Sequence, residues 1–140
     1  AYMEMYDPDE DVWTAVTGQF PGSNWAASGT VLDGKMYIMG GNPENFTNQI
    51  RVYDPDSNTL ELLDLRMPAR RGWAGDFVYD NEIYLVGGWY SGKGNYSDVT
   101  VYDPLAAPPA PQVRSVQAQV RGVDATGKLP IKWGMLKVVE

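Results

Sequence analysis

Apolar and polar residues alternate with period two along most of the first hundred positions, in short runs broken by Gly, Pro, Asp and Asn. Thr30-Val31-Leu32, Asp33-Gly34 and Lys35 to Met39 read as two strands around a tight turn, because Asp-Gly between apolar runs is the strongest short-range hairpin signal. Phe77-Val78-Tyr79, Asp80-Asn81 and Glu82 to Val86 repeat the pattern, and Asn81 tolerates the positive φ that such turns require. Gly40-Gly41 and Gly87-Gly88 end the second strand of each pair, where side chains would crowd or φ must be positive. Beyond the first pair, Gln49 to Tyr53 reads as a third strand, Asp-Pro as a turn, and Thr59 to Leu63 as a fourth.

These runs recur. Met5-Tyr6-Asp7-Pro8, Val52-Tyr53-Asp54-Pro55 and Val101-Tyr102-Asp103-Pro104 are spaced by 47 and then 49 residues. Met36-Tyr37-Ile38-Met39-Gly40-Gly41 and Ile83-Tyr84-Leu85-Val86-Gly87-Gly88 are again 47 apart. A period near 47 suits a propeller blade or a helical solenoid. Period-two alternation with turn residues every ten or so positions selects the all-β option, with four antiparallel strands per unit.

At this point the chain resembles the kelch family. A kelch blade has a Gly-Gly doublet after its second strand, a tyrosine shortly before it, and a Tyr-Asp-Pro followed by Trp on the fourth strand. Tyr37 with Gly40-Gly41, and Tyr84 with Gly87-Gly88, match the first elements; Tyr6-Asp7-Pro8 with Trp13 matches the last. Met67-Pro68 with Arg70 or Arg71 matches the family's segment before the first strand. The resemblance spans roughly residues 2–104 and implies kelch-type β-propeller blades. Leu60 departs from the pattern, standing where the second Trp belongs. After Pro104 a proline-rich stretch replaces the expected fourth strand. The expectation is therefore strands three and four of one blade, one complete blade and three strands of another.

So few blades cannot close the ring of six or seven that the resemblance implies, and a repeat cannot bury its core alone. The chain is expected to be the C-terminal piece of a longer propeller, to draw missing blades or strands from other chains, or to stand as a small open unit. It opens at Ala1-Tyr2 without an initiator methionine, in keeping with a processed or excised piece. Three segments follow: blades over 1–104, a Pro-rich linker over 105–112, and a C-terminal β segment over 113–140. In the last, Val116, Ala118 and Val120 alternate with polar residues, and Leu129, Ile131 and Trp133 alternate again after a turn near Asp124 to Lys128. The segment reads either as a β-hairpin or as a donor strand that pairs with an open blade edge.

Composition narrows the chemistry. With neither Cys nor His, the chain offers no thiolate, no disulfide and no imidazole base or ligand. The net charge of −7 is uneven: residues 1–104 hold 6 Lys/Arg against 16 Asp/Glu, residues 105–140 hold 5 against 2. An acidic body argues against nucleic-acid backbone as a partner. No run approaches the ~20 apolar residues that span a membrane. Asp7-x-Asp9-x-Asp11 and Asp54-x-Asp56-x-Asn58 lack the Gly and Glu of a calcium loop and read as turn carboxylates, so no metal or cofactor is expected.

In such a meander the 1–2 and 3–4 turns share one end of the strands, and the longer 2–3 and 4–1 loops share the other. Binding residues concentrate on long loops over a rigid scaffold. The candidate face comprises Asn42, Glu44 and Phe46 in one 2–3 loop and Trp89, Tyr90, Lys93 and Tyr96 in the next. The 4–1 connections add Arg66, Arg70 and Arg71, with Trp25 and Trp73. Arg with Trp and Tyr is the composition of binding hot spots, and guanidinium forks suit carboxylates. The plainer expectation is that Arg70 or Arg71 ties blades together and Trp73 sits in an inter-blade core. Asn45-Phe46-Thr47 and Asn95-Tyr96-Ser97 are N-glycosylation sequons.

The leading expectation is thus a non-catalytic protein- or glycan-interaction module, extracellular or at a cell surface, with a cytoplasmic location as the alternative. A structural subunit joined through open blade edges is a second reading, and a fragment of a kelch-fold enzyme a third. Copper-radical oxidases of this fold use Tyr, Cys and His, which this stretch cannot supply. Kelch-like sugar epimerases use Arg and carboxylates, to which Arg71 or Glu44 could contribute only alongside further blades.

Overall fold

The computed structural model describes residues 3–17, 24–42, 45–106 and 112–117. The candidate Glu44, most of the Pro-rich linker and residues 118–140 of the expected C-terminal β segment, Ala118 and Val120 among them, lie outside the described residues.

In chain order the strands are β1 (Glu4–Asp7), β2 (Val12–Ala15), β3 (Trp25–Leu32), β4 (Lys35–Asn42), β5 (Gln49–Asp54), β6 (Thr59–Arg66), β7 (Gly75–Tyr79), β8 (Glu82–Val86), β9 (Trp89–Tyr90), β10 (Gly94–Asn95), β11 (Asp98–Asp103) and β12 (Gln112–Gln117). They form a two-stranded sheet β1-β2, a four-stranded meander β3-β4-β5-β6 and a second four-stranded sheet β7-β8-β11-β12. The small β9-β10 hairpin sits inside the second sheet's 2–3 loop. All strand pairs are antiparallel, as propeller blades require.

The local signals formed the turns they encode. Asp33 and Gly34 have φ of 50° and 72°, and Asp80 and Asn81 have 50° and 60°, the two consecutive positive values of a type I′ hairpin. Asp7 Oδ1 accepts the Asp9 amide at 2.9 Å and Asp54 Oδ1 accepts the Asp56 amide at 3.0 Å, so these carboxylates brace the Asp-Pro turns.

One expectation is corrected. The second blade does have a fourth strand: β12 runs beside β11 from Asp103↔Gln112 to Asp98↔Gln117. It is displaced, not lost. In the first blade, residues 55–58 suffice to connect strands three and four; in the second, residues 104–111 do so. Pro108, Pro109 and Pro111 interrupt the pattern there, while the pairing that restores the blade is set by register and not by nearby sequence.

The core lies between the two blades. Leu32, Tyr37, Met39, Ile50 and Met67 of the first face Ile83, Leu85 and Tyr102 of the second. Each side chain buried here contributes roughly 1.5–3 kcal/mol. Tyr37 and Tyr102 meet edge to face at 5.7 Å, and burial, with Tyr37 and Asp103 adding to it, pushes the Tyr102 phenol up to about 12. The repeat tyrosines are thus packing residues. On the other side of the first blade, the Tyr53 hydroxyl meets the Met5 sulfur at 3.5 Å and Asn58 Nδ2 donates to Ala15 O at 3.2 Å, joining the β1-β2 pair to the stack. Tyr6 and Trp13 pair at 5.0 Å on the far side of β1-β2 and are both exposed.

Candidate functional site

The 4–1 segment over residues 67–74 is stitched to the 2–3 loops of both blades. Met67 N donates to Asn48 O at 2.9 Å and Asn48 Nδ2 returns a bond to Met67 O at 3.0 Å. Arg71 N donates to Thr47 O at 3.2 Å, while Gly41 N donates to Arg71 O at 2.9 Å. Toward the second blade, Gly72 and Trp89 exchange amide bonds of 3.0 and 2.8 Å, and Trp73 N donates to Ala26 O at 2.9 Å. The glycine doublets permit this approach: a Cβ on Gly40 would stand 2.2 Å from Arg71 O, and one on Gly88 2.8 Å from Gly72 O.

This stitching gathers aromatic rings from three loops. Phe46, buried, lies 6.0 Å from Trp25, 5.4 Å from Trp73, 5.2 Å from Trp89 and 6.0 Å from Tyr90. Trp73 in turn packs at 5.0 Å from Trp25 and 5.7 Å from Trp89. These tilted and edge-on pairs are the arrangements that ring quadrupoles favour. Trp25 and Trp73 nonetheless remain 48% and 55% exposed. Trp73 therefore bridges the blades at the surface and does not sit in an inter-blade core. Its φ is +52°, and Ala26, whose carbonyl holds it, has φ +61°. Such backbone is disfavoured for residues with a Cβ and costs on the order of 1–3 kcal/mol each, so the surrounding bonds must impose it.

The arginines divide sharply. Arg71 is buried to 1% exposure; its guanidinium donates to Gly87 O at 3.0 Å and to Asp98 Oδ2 at 3.1 Å. The same Asp98 oxygen accepts the Ser115 hydroxyl of β12 at 2.6 Å. Partial burial pushes the Asp98 carboxyl up, but the bonds from Ser115 and Arg71, with the Arg71 charge, outweigh it and hold the group below the usual carboxylate range. Of the two adjacent arginines expected to tie the blades it is Arg71 that does so, and at this burial it is not available to a ligand. Arg66 turns back onto its own strand, donating to Leu63 O and to Leu65 O at 3.0 Å. Arg70 is exposed. Tyr96 lies between two cations, with the Arg71 guanidinium and the Lys93 ammonium each 4.4 Å from its ring centre.

The structure therefore brings together Phe46, Trp89, Tyr90, Lys93 and Tyr96 from the sequence candidates, adds Trp25 and Trp73, and withdraws Arg66 and Arg71 into internal contacts. Asn42 ends β4 opposite Trp25, half-buried, and the sequon residues Asn45 and Asn95 are exposed on the same loop end. Trp25 and Trp73 stand 48 residues apart, one off the 47-residue period, so they are not equivalent positions of the repeat and no spacing signalled their pairing. Ser115 had no signal, because its role depends on the displaced strand. Among the described residues no group of three acidic side chains is arranged to hold a metal ion.

Flat meanders stacked face to face, inner strands β3 and β7 side by side, define a β-propeller segment. The Kelch motif matches residues 26–59, which run from the first strand of the complete blade to the start of its fourth. The doublets and tyrosines take the corresponding positions in both blades, so the fold is that of kelch-type propeller blades, with the Kelch motif itself matched over the first. No curated protein matches it in sequence. Among solved structures, one described as "Structure of YjhT" superposes with a TM-score of 0.69 at 13% identity, over 87% of this chain and 45% of that one. At that identity the likeness concerns the fold, and this chain spans less than half of the neighbour's length.

Proposed function

We propose that this segment is a non-catalytic contact module whose loop face engages a protein or carbohydrate partner. The observation that carries the reading is the five-ring cluster, held on strained but well-bonded backbone with the two indoles of Trp25 and Trp73 half in solvent. Rigid aromatic side chains give large contact area at small entropic cost, and strained residues imposed by their surroundings cluster at ligand sites. Arg71, the residue an epimerase-like reading would draw on, is buried in an ion pair, which favours contact over catalysis. Intrinsic tryptophan fluorescence titrated with a panel of defined peptides and oligosaccharides tests the reading. Binding that vanishes in Trp25→Ala/Trp73→Ala, with the circular dichroism unchanged, supports it; titrations without response by any probe, or undiminished in the double variant, refute it.

A structural subunit is the second reading, favoured by the exposed apolar face of Phe77, Tyr79 and Val86 on the second blade. Light scattering after size exclusion tests it: association that rises with concentration and disappears in Tyr79→Lys is expected, and a stable monomer excludes it. An extracellular location is part of the first reading, supported by the exposure of Asn45 and Asn95. Expression through a eukaryotic secretory route followed by endoglycosidase digestion checks whether these sequons accept glycans.

A further inference from the structure

The face of the second blade that turns away from the first is buried on one side only. Side chains alternate between the two faces of a strand, so Phe77, Tyr79, Tyr84, Val86, Val99 and Val101 share this face, opposite Ile83, Leu85 and Tyr102. The first blade supplies the measure of full cover, because the second blade lies over its corresponding face. Toward β7 the second blade falls short of that measure: Leu32 and Met39 are 8% and 1% exposed, their counterparts Tyr79 and Val86 62% and 44%. On β11 it does not. Val99 is 7% exposed, close to the 0% of Ile50, its counterpart 49 residues earlier. Val101 is buried to 1%, deeper than its counterpart Val52, which is half-buried beneath the second blade. Tyr84 owes its burial to Phe77, stacked on it, and to Tyr79 at its edge. The valines have no such cover: Val86, opposed to Val99, is itself exposed. Among the described residues the strands beside β11 are its sheet neighbours β8 and β12, which flank the valines and do not lie over them.

We propose that residues 118–140 of this chain cover Val99 and Val101, packing across β11 on the outer half of this face. The segment follows Gln117, which pairs with Asp98, so it starts beside the buried valines. Neighbouring strands lie about 4.8 Å apart and each extended residue advances about 3.3 Å, so three residues suffice to cross from β12 to β8. There are 23 residues from Ala118 to Glu140. Their pattern suits an apolar sheet face, with Leu129, Ile131, Trp133 and Met135 at alternate positions. Their charge suits it as well: four Lys/Arg against two Asp/Glu in 118–140 meet a body with 6 against 16 in residues 1–104. The stretch 107–111 joins Ala106 to Gln112 at the other end of β11 from Val99 and is held there at both ends. A second copy or a further blade would bury Tyr79 and Val86 together with the valines, as the second blade buries Leu32 and Met39 on the first. The one-sided burial therefore selects the chain's own segment. This inference is independent of the loop face. It closes the outer half of the second blade to a second copy and leaves Phe77, Tyr79 and Val86 as the part open to association.

The chain has no cysteine, so a single introduced thiol reports on one face of one strand. Val101→Cys places it under the proposed cover; Thr100→Cys, at the adjacent fully buried position, places it on the opposite face of β11, which the first blade covers. In the full chain both are expected to react slowly with a soluble aromatic disulfide. Adding Leu129→Asp/Ile131→Asp/Trp133→Asp should speed the reaction of Val101→Cys at least about tenfold and leave Thr100→Cys protected. Fast reaction of Val101→Cys with residues 118–140 unaltered, or no acceleration by the triple variant, overturns the proposal. Protection of Val101→Cys that appears only as protein concentration rises, with a dimer by light scattering, assigns the face to a second copy and overturns it too. Where the triple variant unfolds the blade and exposes both thiols, a photo-crosslinking residue at Val86 in the otherwise unaltered chain decides. Adducts to residues 118–140 within the monomer support the cover; adducts between chains, or to solvent alone, refute it.

Discussion

The two four-stranded blades carry the same repeat yet live in different surroundings. Leu32 on the first blade is 8% exposed, whereas Tyr79, its counterpart 47 residues on, is 62% exposed; Met39 and Val86 contrast as 1% and 44%. The backbone pairing is alike in both. What differs is that the first blade's face is covered by Ile83, Leu85 and Tyr102, while no described blade lies beyond the second. The repeat therefore specifies a blade, and its neighbour specifies the blade's stability. The aromatic content follows suit: Phe77 stacks parallel on Tyr84 at 5.1 Å, with Tyr79 at 6.3 Å, so the open face covers itself with rings.

Five substitutions break or sharpen this contrast. Arg71→Met has the largest expected effect, because it leaves Asp98 half-buried without its cation and frees the Gly87 carbonyl. A loss of about 3 kcal/mol is expected in urea unfolding. Next, Leu32→Ala should cost about 2–3 kcal/mol by opening a cavity between blades, while Tyr79→Ala at the matching position should cost less than about 1 kcal/mol. Equal losses would mean that the second face is covered in solution.

A smaller effect is specific to the second blade. Ser115→Ala removes a bond to the Asp98 carboxylate and should raise amide exchange along β12 severalfold at neutral pH, leaving β6 unaffected. Acid should act in the same direction. The folded pKa of Asp98 lies below its unfolded value, so its stabilisation is full above the unfolded carboxylate value of about 4 and is lost as pH falls through the folded one. Selective exposure of β12 in that window is the expected result of exchange measured by mass spectrometry. The smallest effect belongs to the hairpin turns. Asn81→Gly copies the Gly34 turn of the first blade and should change stability by no more than about 0.5 kcal/mol, since Asn already tolerates positive φ; a thermal melt checks it.

Much of the blade was legible because it is local. Alternation, Asp-Gly and Asp-Asn turns, Gly-Gly doublets and Tyr-Asp-Pro each act within a few residues, and each formed where expected. The displaced β12 was legible only as one of two alternatives, a donor strand for an open blade edge beside a separate hairpin, since its partner is fixed by register across an interrupting stretch. At the site, Trp89 and Tyr90 could be picked out as loop aromatics. The exposure of Trp73 could not, because it depends on a left-handed backbone that no residue type at that position would suggest. Nor could sequence choose between Arg70 and Arg71: adjacent identical side chains point apart, one into the blade junction and one to solvent, and only the fold assigns which.

The displaced fourth strand has a consequence for biosynthesis. Chains emerge at roughly 5–20 residues per second, so β11 must wait for residues 104–117 to follow before its outer edge can be paired. During that interval the nearly finished blade presents bare amides and carbonyls, the template on which misassembly starts. Lengthening such a connection further adds only about 0.6 kcal/mol of closure entropy per doubling. The 104–111 connection is therefore a natural point for insertion or grafting: a cargo placed there would burden the folded blade little, and would be felt chiefly as a longer wait on the ribosome.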